Sequence, residues 1–263
     1  MITENKISKF LKEFEKQEET VIDTPKDELN QQFFDGTRLQ RRIRKSMLDL
    51  FNFVISKLPF KDLNKYVLEK NFVGSMASFQ WSDESDIDLH IVVDDEEMAE
   101  QYNIDSLELI EILRKMRKEF NDKFYIMGYE VEFYIQTKNE PFYSNGVYDV
   151  EYDTWIKAPQ KQEFDKEKVK EAKQQATKYK KYIQKKIKQI HKDIKNEEKA
   201  SKNYEFLQDE LDRLVNERNE SIRAEGHDAT IINMTWKFLQ RFKVIKQIKD
   251  TIDKLEKNKF EVK

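Results

Sequence analysis

Apolar side chains recur at helical spacing in the N-terminal part of the chain. A short amphipathic helix is predicted at 7–14, and a polar linker follows it around Pro25. A longer helix is predicted within FDGTRLQRRIRKSMLDLFNFVISKL, where three- and four-residue spacing continues as far as Leu58 and Pro59 ends the pattern. The pattern therefore predicts an N-terminal helix and linker over 1–27 and a first domain that begins at residue 28.

The segment from about residue 65 to 160 mixes strand and helix patterns. YVLEKNFVG and IDLHIVVD have the composition of buried strands, whereas SLELIEILRKMRKEFND has a helical period. KFYIMGYEVEFYIQ is predicted to form a hairpin or a bent strand that breaks at Gly128, and a further strand is predicted in GVYDVEYDTWIKAP. These patterns predict an α+β domain over 28–160.

The remainder of the chain, 161–263, has almost only helical patterns. One apolar stripe with nearly heptad spacing runs from Val169 to Ile194, and a second continues from Tyr204 to Ile222. A final helix is predicted in IINMTWKFLQRFKVIKQIKDTIDKL. We expect a long helical hairpin or bundle whose final helix packs back on the first domain.

The first of these helices is strongly basic. Between positions 166 and 195 the chain carries twelve lysines and three acidic residues, a local charge of +9. Two interpretations stay open: the lysines form the solvent-facing side of a helical hairpin, or they form a track for a nucleic-acid backbone. The apolar stripe is also compatible with pairing between two chains, so an oligomer formed through the hairpin is a further hypothesis.

Composition limits the classes of protein to which the chain can belong. Its 48 lysines and arginines nearly balance 51 acidic residues, so the net charge of −3 points to neither a nucleic-acid nor a membrane partner. The chain has no cysteine, which excludes disulfides and thiolate metal sites. We find neither a secretory signal nor an apolar run long enough for a membrane span, so a cytoplasmic protein is expected.

Two carboxylates stand close together at the beginning of an apolar strand. In SDIDLHIVVD, strand alternation puts three apolar residues on one face and Asp86, Asp88 and His90 on the other. Neighbouring aspartates on one face repel each other unless a cation lies between them. Because hard oxygen ligands suit Mg²⁺ or Mn²⁺, the pair predicts a site for one of these ions. His90 is expected to hydrogen-bond near the site rather than to bind the metal.

Two other segments supply groups that such a site needs. In YEVEFYIQ, strand alternation places Glu130 and Glu132 opposite the apolar residues, and either glutamate can complete a site for two ions about 3.5–4 Å apart. Gly74 and Ser75 are predicted at a strand-to-helix turn, where backbone amides and the serine hydroxyl can bind a phosphate. The combination predicts a metal centre beside a phosphate-binding turn.

These motifs resemble those of the nucleotidyltransferase superfamily of DNA polymerase β. The resemblance is carried by VGSMASFQWSDESDIDLHIVV, with a Gly-Ser pair and a spaced Asp-x-Asp, and by YEVEFYIQ, with an acid on another strand. More narrowly, the chain is similar to predicted nucleotidyltransferases of large tailed phages and some bacteria, through FFDGTRLQRRIRKSMLDL, VEFYIQ, GVYDVEYDTWIKAP and MTWKFLQR. The resemblance covers roughly residues 30–160 and, thinly, 225–250.

The resemblance implies a polymerase-β-type core, a mixed sheet with flanking helices, and metal-binding roles for three acids. Asp86 and Asp88 match the metal-binding pair. Glu132 matches the third carboxylate in preference to Glu130, and in the superfamily this acid also assists deprotonation of the attacking hydroxyl. The implied cofactor is a pair of Mg²⁺ or Mn²⁺ ions.

Nucleotide contacts are implied for four further residues. Gly74 and Ser75 match the pair that grips the nucleoside triphosphate. Lys237 and Arg241, four apart on one face of the final helix, are expected to contact the triphosphate or the acceptor. A solvent-exposed helix face is the other interpretation of this second pair.

The implied reaction transfers a nucleoside monophosphate from a nucleoside triphosphate to a hydroxyl and releases pyrophosphate. RNA, with tRNA first, is favoured over protein as the acceptor because of the lysine-rich helix. The implied setting is the cytoplasm of a bacterial cell or of a phage-infected host. The alternative is a catalytically silent protein that keeps this fold as a scaffold while the helical hairpin binds a nucleic-acid or protein partner.

Overall fold

The computed structural model describes residues 25–121, 123–193, 196–227 and 229–261. These residues form two compact units, of which the first is Pro25–Gln162 and the second begins at Glu163. The first unit contains a mixed six-stranded sheet with helices, and the second contains four helices. The predicted α+β class is therefore confirmed. The short helix predicted at 7–14 lies outside the described residues.

The first unit contains a six-stranded sheet and a separate two-stranded hairpin. β1 pairs with β2, and the other six strands form a sheet in the order β5-β6-β4-β3-β7-β8. The central strands β4 and β6 run parallel, whereas every other neighbouring pair is antiparallel. In chain order the strands are β1 (Phe34–Asp35), β2 (Arg38–Leu39), β3 (Val67–Val73), β4 (Ile87–Val93), β5 (Tyr125–Ile126), β6 (Tyr129–Thr137), β7 (Val147–Asp149) and β8 (Thr154–Lys157).

The two central strands have one apolar face and one polar face, as the sequence pattern predicts. Strand side chains alternate, so the polar face of these strands carries Asp88, His90, Glu132 and Tyr134. The opposite face forms the centre of the core, and its side chains are fully buried: Ile87, Leu89, Ile91, Val131, Phe133 and Ile135. The alternation therefore separates the core from the polar groups of the candidate site.

The break predicted at Gly128 is a tight turn between β5 and β6. Met127 (φ 55°) and Gly128 (φ 88°) both have left-handed backbone, which is the combination found in two-residue type I′ hairpins. β5 pairs antiparallel with the beginning of β6, so the predicted hairpin is confirmed.

Three α-helices belong to the first unit: α1 (Arg41–Lys57), α2 (Asp95–Tyr102) and α3 (Ser106–Arg117). Two 3₁₀ turns, Leu63–Lys65 and Lys118–Phe120, accompany them. The predicted helices α1 and α3 are confirmed, and α1 ends before Pro59 because proline cannot continue its hydrogen bonding. The predicted apolar stripe of α1 is buried against the core, with Ile43, Met47, Phe51, Val54 and Ile55 at its centre.

Helix α2 is absent from the sequence prediction. Its sequence, DEEMAEQY, has too few apolar residues for a periodic stripe, and Met98 is its one buried apolar side chain. The helix forms because Asp94 accepts a hydrogen bond from the Glu97 amide at the N-terminus, and acidic residues fill the first turn. Local capping therefore specifies this helix without apolar periodicity.

The sequence predicts a helical hairpin followed by one final helix, whereas the second unit contains four helices. Its helices are α4 (Lys166–Asp193), α5 (Glu197–Glu225), α6 (Ile231–Arg241) and α7 (Val244–Glu261). α4 packs chiefly against α6 and α5 against α7, so the two long helices have few direct contacts with each other. Within the residues that the structure describes, no helix is both long and apolar enough to cross a membrane.

The predicted final helix is wrong because it is two helices, α6 and α7. The chain turns at Lys243, which has left-handed backbone (φ 56°), and the Phe242 amide still donates to the Phe238 carbonyl at 2.8 Å. Phe238, Phe242 and Val244 are all buried around this turn. The break redirects the chain so that the apolar faces on both sides of it reach the same core, which a straight helix would not allow.

We expect Met47→Ala to destabilise the first unit by about 2–5 kcal/mol, because Met47 is completely buried and its removal leaves a cavity. Hydrogen exchange of the β4 amides measures this loss without interference from the helical unit. Leu107→Ala on α3 is the control, since Leu107 is 77% exposed and its replacement is expected to change the opening free energy by less than about 0.5 kcal/mol. Equal changes in both variants would contradict the assigned core.

Candidate metal centre

Three carboxylates from one region of the sheet meet on its polar face. One carboxylate oxygen from each of Asp86, Asp88 and Glu132 lies within 4.8 Å of one from each of the other two, and all three side chains are half-buried. Asp88 and Glu132 are direct partners in the parallel register of β4 and β6, and Asp86 stands one residue before β4. Among the described residues, the cluster that the structure forms includes Glu132 and not Glu130.

The chemistry of this oxygen set fits a hard divalent cation. All three ligands are carboxylates, which suit Mg²⁺ and Mn²⁺ rather than softer metals. Oxygens around one octahedral Mg²⁺ are about 3.0 Å apart when adjacent and about 4.2 Å apart when opposite. Oxygens that lie within 4.8 Å of one another can therefore close on an ion through small side-chain movements. The charge of the cation would offset the mutual repulsion of the three acids.

Gly74 directly adjoins the carboxylate of Asp88. It follows Val73, the residue of β3 that pairs with Asp88, and its backbone is left-handed (φ 79°). A Cβ atom at this position would lie 1.9 Å from Asp88 Oδ2 and 2.8 Å from its Cγ. Glycine is therefore required here for two reasons, the backbone conformation and the space that the Asp88 carboxylate occupies.

Gly74 and Ser75 follow a strand, as predicted, but the helix predicted after them is absent. β3 ends at Val73, and residues 74–80 form successive turns, with the Ser78 amide donating to the Ser75 carbonyl at 3.1 Å. No helix occurs between β3 and β4 in this fully described stretch. Helix-terminal amides therefore contribute nothing here, and any phosphate contact would come from the amides of the turns.

The turn after β3 is tied to the segment that leads into the acidic pair. The Ser75 hydroxyl donates to Ser85 Oγ at 2.9 Å, and Ser85 Oγ accepts the Ser82 amide at 3.0 Å. Ser85 immediately precedes Asp86, so this hydrogen-bonded group fixes the entry to β4. The Ser75 side chain that the sequence assigned to phosphate binding is engaged in holding the loop.

A second loop holds the turn from the other side. The Gly74 amide donates to Ser144 Oγ at 2.9 Å, and this hydroxyl in turn donates to the Gly146 carbonyl at 2.9 Å. Gly146 packs so closely that a Cβ atom on it would lie 2.0 Å from the Ala77 carbonyl oxygen. Sequence analysis missed Ser144 and Gly146, because their role depends on the meeting of segments distant in the chain.

Arg117 is a cation beside the acidic cluster that sequence analysis also missed. Its guanidinium donates to the Phe133 carbonyl and lies over the Tyr134 ring, with Cζ 5.2 Å from the centroid. Burial lowers the pKa of Arg117, whereas the carboxylates of Glu132 and Asp88 act in the opposite direction. Arginine stays protonated at neutral pH, so Arg117 supplies positive charge next to the acids. In the sequence, only the three-residue spacing of Arg114 and Arg117 in LRKMR indicates that the two arginines share one face of a helix.

Arg114, one turn earlier on α3, covers the same strand edge further from the cluster. It donates to the Ile135 carbonyl at 3.0 Å and to Glu140 Oε2 at 2.5 Å, and its Cζ lies 4.9 Å from the Tyr134 centroid. On the edge facing away from β4, β6 has no strand partner along this stretch among the described residues, since β5 pairs with Tyr129 and Glu130 only. The arginines of α3 thus satisfy carbonyls that an open sheet edge would leave exposed.

His90 hydrogen-bonds near the acids, as the sequence predicts, and lies outside the group formed by Asp86, Asp88 and Glu132. Its Nδ1 lies 2.8 Å from Gln136 Oε1, and the Gln136 amide nitrogen donates to the Glu140 carbonyl at 2.7 Å. Gln136 therefore accepts from His90, which fixes the proton on Nδ1. Burial lowers the pKa of His90 to about 4, so the ring is neutral at pH 7.

Lys237 and Arg241, the other predicted nucleotide contacts, lie on α6 in the helical unit. Both are half-buried and stand one helical turn apart, so they share a face of the helix. Their assignment to the triphosphate or the acceptor stays a prediction.

Comparisons with known proteins give no independent assignment. A scan against protein-family models, a search of curated proteins and a search of solved structures each return no match. Any function must therefore be argued from the motifs of the chain and the geometry of the carboxylate cluster.

We expect Gly74→Ala to weaken Mn²⁺ binding at least tenfold while the protein still folds. The new Cβ atom would collide with the Asp88 carboxylate, and this flexible end of a side chain can move away from it at little cost to the fold. The displaced oxygen would then be lost as a ligand. Isothermal titration with Mn²⁺ measures the affinity, and circular dichroism checks folding.

Gly128→Ala is the matched control for this substitution. Gly128 has a similar backbone conformation (φ 88°), but a Cβ atom on it would meet nothing within 4 Å. Both variants are expected to lose about 1–2 kcal/mol of stability through left-handed backbone strain, and Gly128→Ala is expected to keep its Mn²⁺ affinity. Equal losses of affinity would show that the contact with Asp88 does not matter for metal binding.

Arg117→Gln is expected to raise Mn²⁺ affinity severalfold and to lower stability in the absence of metal. The substitution removes a positive charge beside the acids, which competes with a bound cation, and it breaks the hydrogen bond to the Phe133 carbonyl. Arg114→Gln is the control, because its guanidinium pairs with Glu140, and it is expected to lower stability without changing the affinity. A lower Mn²⁺ affinity in Arg117→Gln would contradict this electrostatic assignment.

Proposed function

We propose that the protein is a metal-dependent nucleotidyltransferase with a polymerase-β-type core, which transfers a nucleoside monophosphate from a nucleoside triphosphate to a hydroxyl. The observation that carries the proposal is the meeting of Asp86, Asp88 and Glu132 within 4.8 Å, beside the turn at Gly74. These residues come from the two motifs on which the resemblance rests.

The arrangement of the acids suits two cations rather than a purely structural purpose. Three half-buried carboxylates within 4.8 Å repel one another by a few kcal/mol per pair at an effective dielectric constant of about 20. A bound cation would offset this repulsion, and Arg117 beside the acids offsets part of it without a metal. Bound Mg²⁺ or Mn²⁺ would activate the acceptor hydroxyl and neutralise charge on the leaving pyrophosphate.

The protein groups have separate roles in the proposed reaction. Asp86 and Asp88 would hold the cations, and Glu132 would hold one of them and take up the proton of the acceptor hydroxyl. The acceptor oxygen forms a bond to the α-phosphorus, the bond from this phosphorus to the bridging oxygen breaks, and pyrophosphate leaves. Gly74 leaves the space in which the Asp88 carboxylate can hold a cation, since a side chain there would displace it.

The test is transfer of label from each α-³²P nucleoside triphosphate, with Mg²⁺ or Mn²⁺, to total RNA, to cell protein or to the enzyme itself. Asp86→Ala/Asp88→Ala is expected to lose at least about 99% of the transfer, because two of the three metal ligands are gone. The wild-type result names the acceptor class by the fraction that carries label.

Asp83→Ala/Glu84→Ala is the matched control for the loss of charge. These two acids are exposed and lie in the loop just before Asp86, so the control removes the same number of charges from the same segment. It is expected to keep wild-type transfer. Folded wild-type protein that labels no fraction with any nucleotide would overturn the proposal and favour the scaffold alternative.

A further inference from the structure

One face of α4 carries a continuous row of lysines. Its members follow one another at alternating intervals of three and four residues, so they lie along one side of the helix, and all are exposed. With a rise of about 1.5 Å per residue, the row is about 21 Å long. We call it the lysine face: Lys178, Lys181, Lys185, Lys188 and Lys192.

Ion pairs with the described residues do not offset the positive charge of this helix. α4 contains eleven lysines against three acids, in a chain whose net charge is −3. None of these lysines forms a salt bridge with any residue that the structure describes. The neighbouring α5 differs, since Arg213 pairs with Glu210 and Glu217 and Lys202 pairs with Glu198. The lysine face is therefore available to an external polyanion.

An exposed aromatic ring stands beside the lysine face. Tyr182 is 44% exposed, and its ring lies 6.0 Å from the Lys186 ammonium. Tyr179 is its neighbour at 5.9 Å, but the Tyr179 hydroxyl is held by Glu210. Aromatic rings next to a positive track suit unpaired bases, which stack on the ring while the phosphates follow the charges.

We propose that the lysine face of α4 binds single-stranded RNA through its phosphates, with Tyr182 stacking on a base. Charge complementarity and the exposed ring favour this partner over a membrane or an acidic protein, neither of which requires the aromatic group. The further assignment of this RNA as the hydroxyl acceptor rests on the proposed nucleotidyltransferase function. RNA binding by itself does not depend on that function.

The test is fluorescence anisotropy of the full-length protein with a labelled RNA of about 20 nucleotides, without nucleoside triphosphate, over a series of salt concentrations. Lys181→Gln/Lys185→Gln/Lys188→Gln is expected to bind at least tenfold more weakly and to reduce the slope of log K against log salt by about 2. Each phosphate contact on a single strand contributes about 0.7 to this slope through counterion release, so the loss of three contacts lowers it by about 2.

The matched control removes three exposed lysines from α7 in the same unit: Lys246→Gln/Lys254→Gln/Lys257→Gln. It changes the net charge equally and is expected to shift the slope by much less. Equal effects of the two triple variants would mean that the binding follows overall charge and would overturn the assignment to α4.

Tyr182→Leu distinguishes a single strand from a duplex. It is expected to weaken binding of the single strand about fivefold or more while binding of a duplex of the same sequence hardly changes. Equal affinity of the wild type for the duplex would overturn the single-strand assignment. Binding of phosphatidylserine vesicles through the lysine face, in the absence of RNA binding, would assign it to a membrane instead.

The two proposals can fail separately. Asp86→Ala/Asp88→Ala is expected to bind the labelled RNA like the wild type, because those acids belong to the other unit. RNA binding without nucleotide transfer would therefore refute the proposed activity alone. Nucleotide transfer without RNA binding at the lysine face would refute the inference drawn from α4.

Discussion

The candidate site depends on the parallel register between β4 and β6. This register places Asp88 opposite Glu132 and, on the other face, the apolar residues of both strands in the core. Burial of those six side chains contributes on the order of 10 kcal/mol, whereas repulsion between two carboxylates whose oxygens lie within 4.8 Å of each other costs on the order of 3 kcal/mol. A slip by one residue would turn the apolar residues outward. The core therefore holds together acids that would separate in its absence.

The surroundings of the acids are organised by close backbone approach rather than by large side chains. Gly74 gives the Asp88 carboxylate its space, and Gly146 lets a second loop pack against the turn that follows β3. Ser75 and Ser144 join these segments through their hydroxyls. Chain segments distant in sequence thus hold the turn, and a displacement of either loop would reach the Asp88 carboxylate through Gly74.

The sequence predicts the elements whose apolar residues recur at a regular spacing. Strand alternation identified both central strands and the side on which Asp86, Asp88 and Glu132 lie, and helical spacing identified α1, α3 and α4. The rest depends on interactions without a local pattern: α2 is specified by its cap, and the break before α7 uses a lysine, not glycine or proline. Arg117 could not be found, because its place beside the acids follows from the packing of α3 against β6. Strand alternation alone likewise could not choose between Glu130 and Glu132, because the choice depends on the register between β4 and β6.

The net charge of −3 conceals how differently the charges of this chain are used. In α5, Lys202 and Arg213 pair with acids one turn away, so these two contribute little to an external field. In α4 the positions three and four residues from each member of the lysine face are mostly lysine or glutamine, which excludes such pairs and leaves the lysines to repel one another. The helix tolerates this repulsion because its apolar stripe packs against α6. Binding of a polyanion would relieve it, so the same pattern that weakens α4 in isolation favours a nucleic-acid partner.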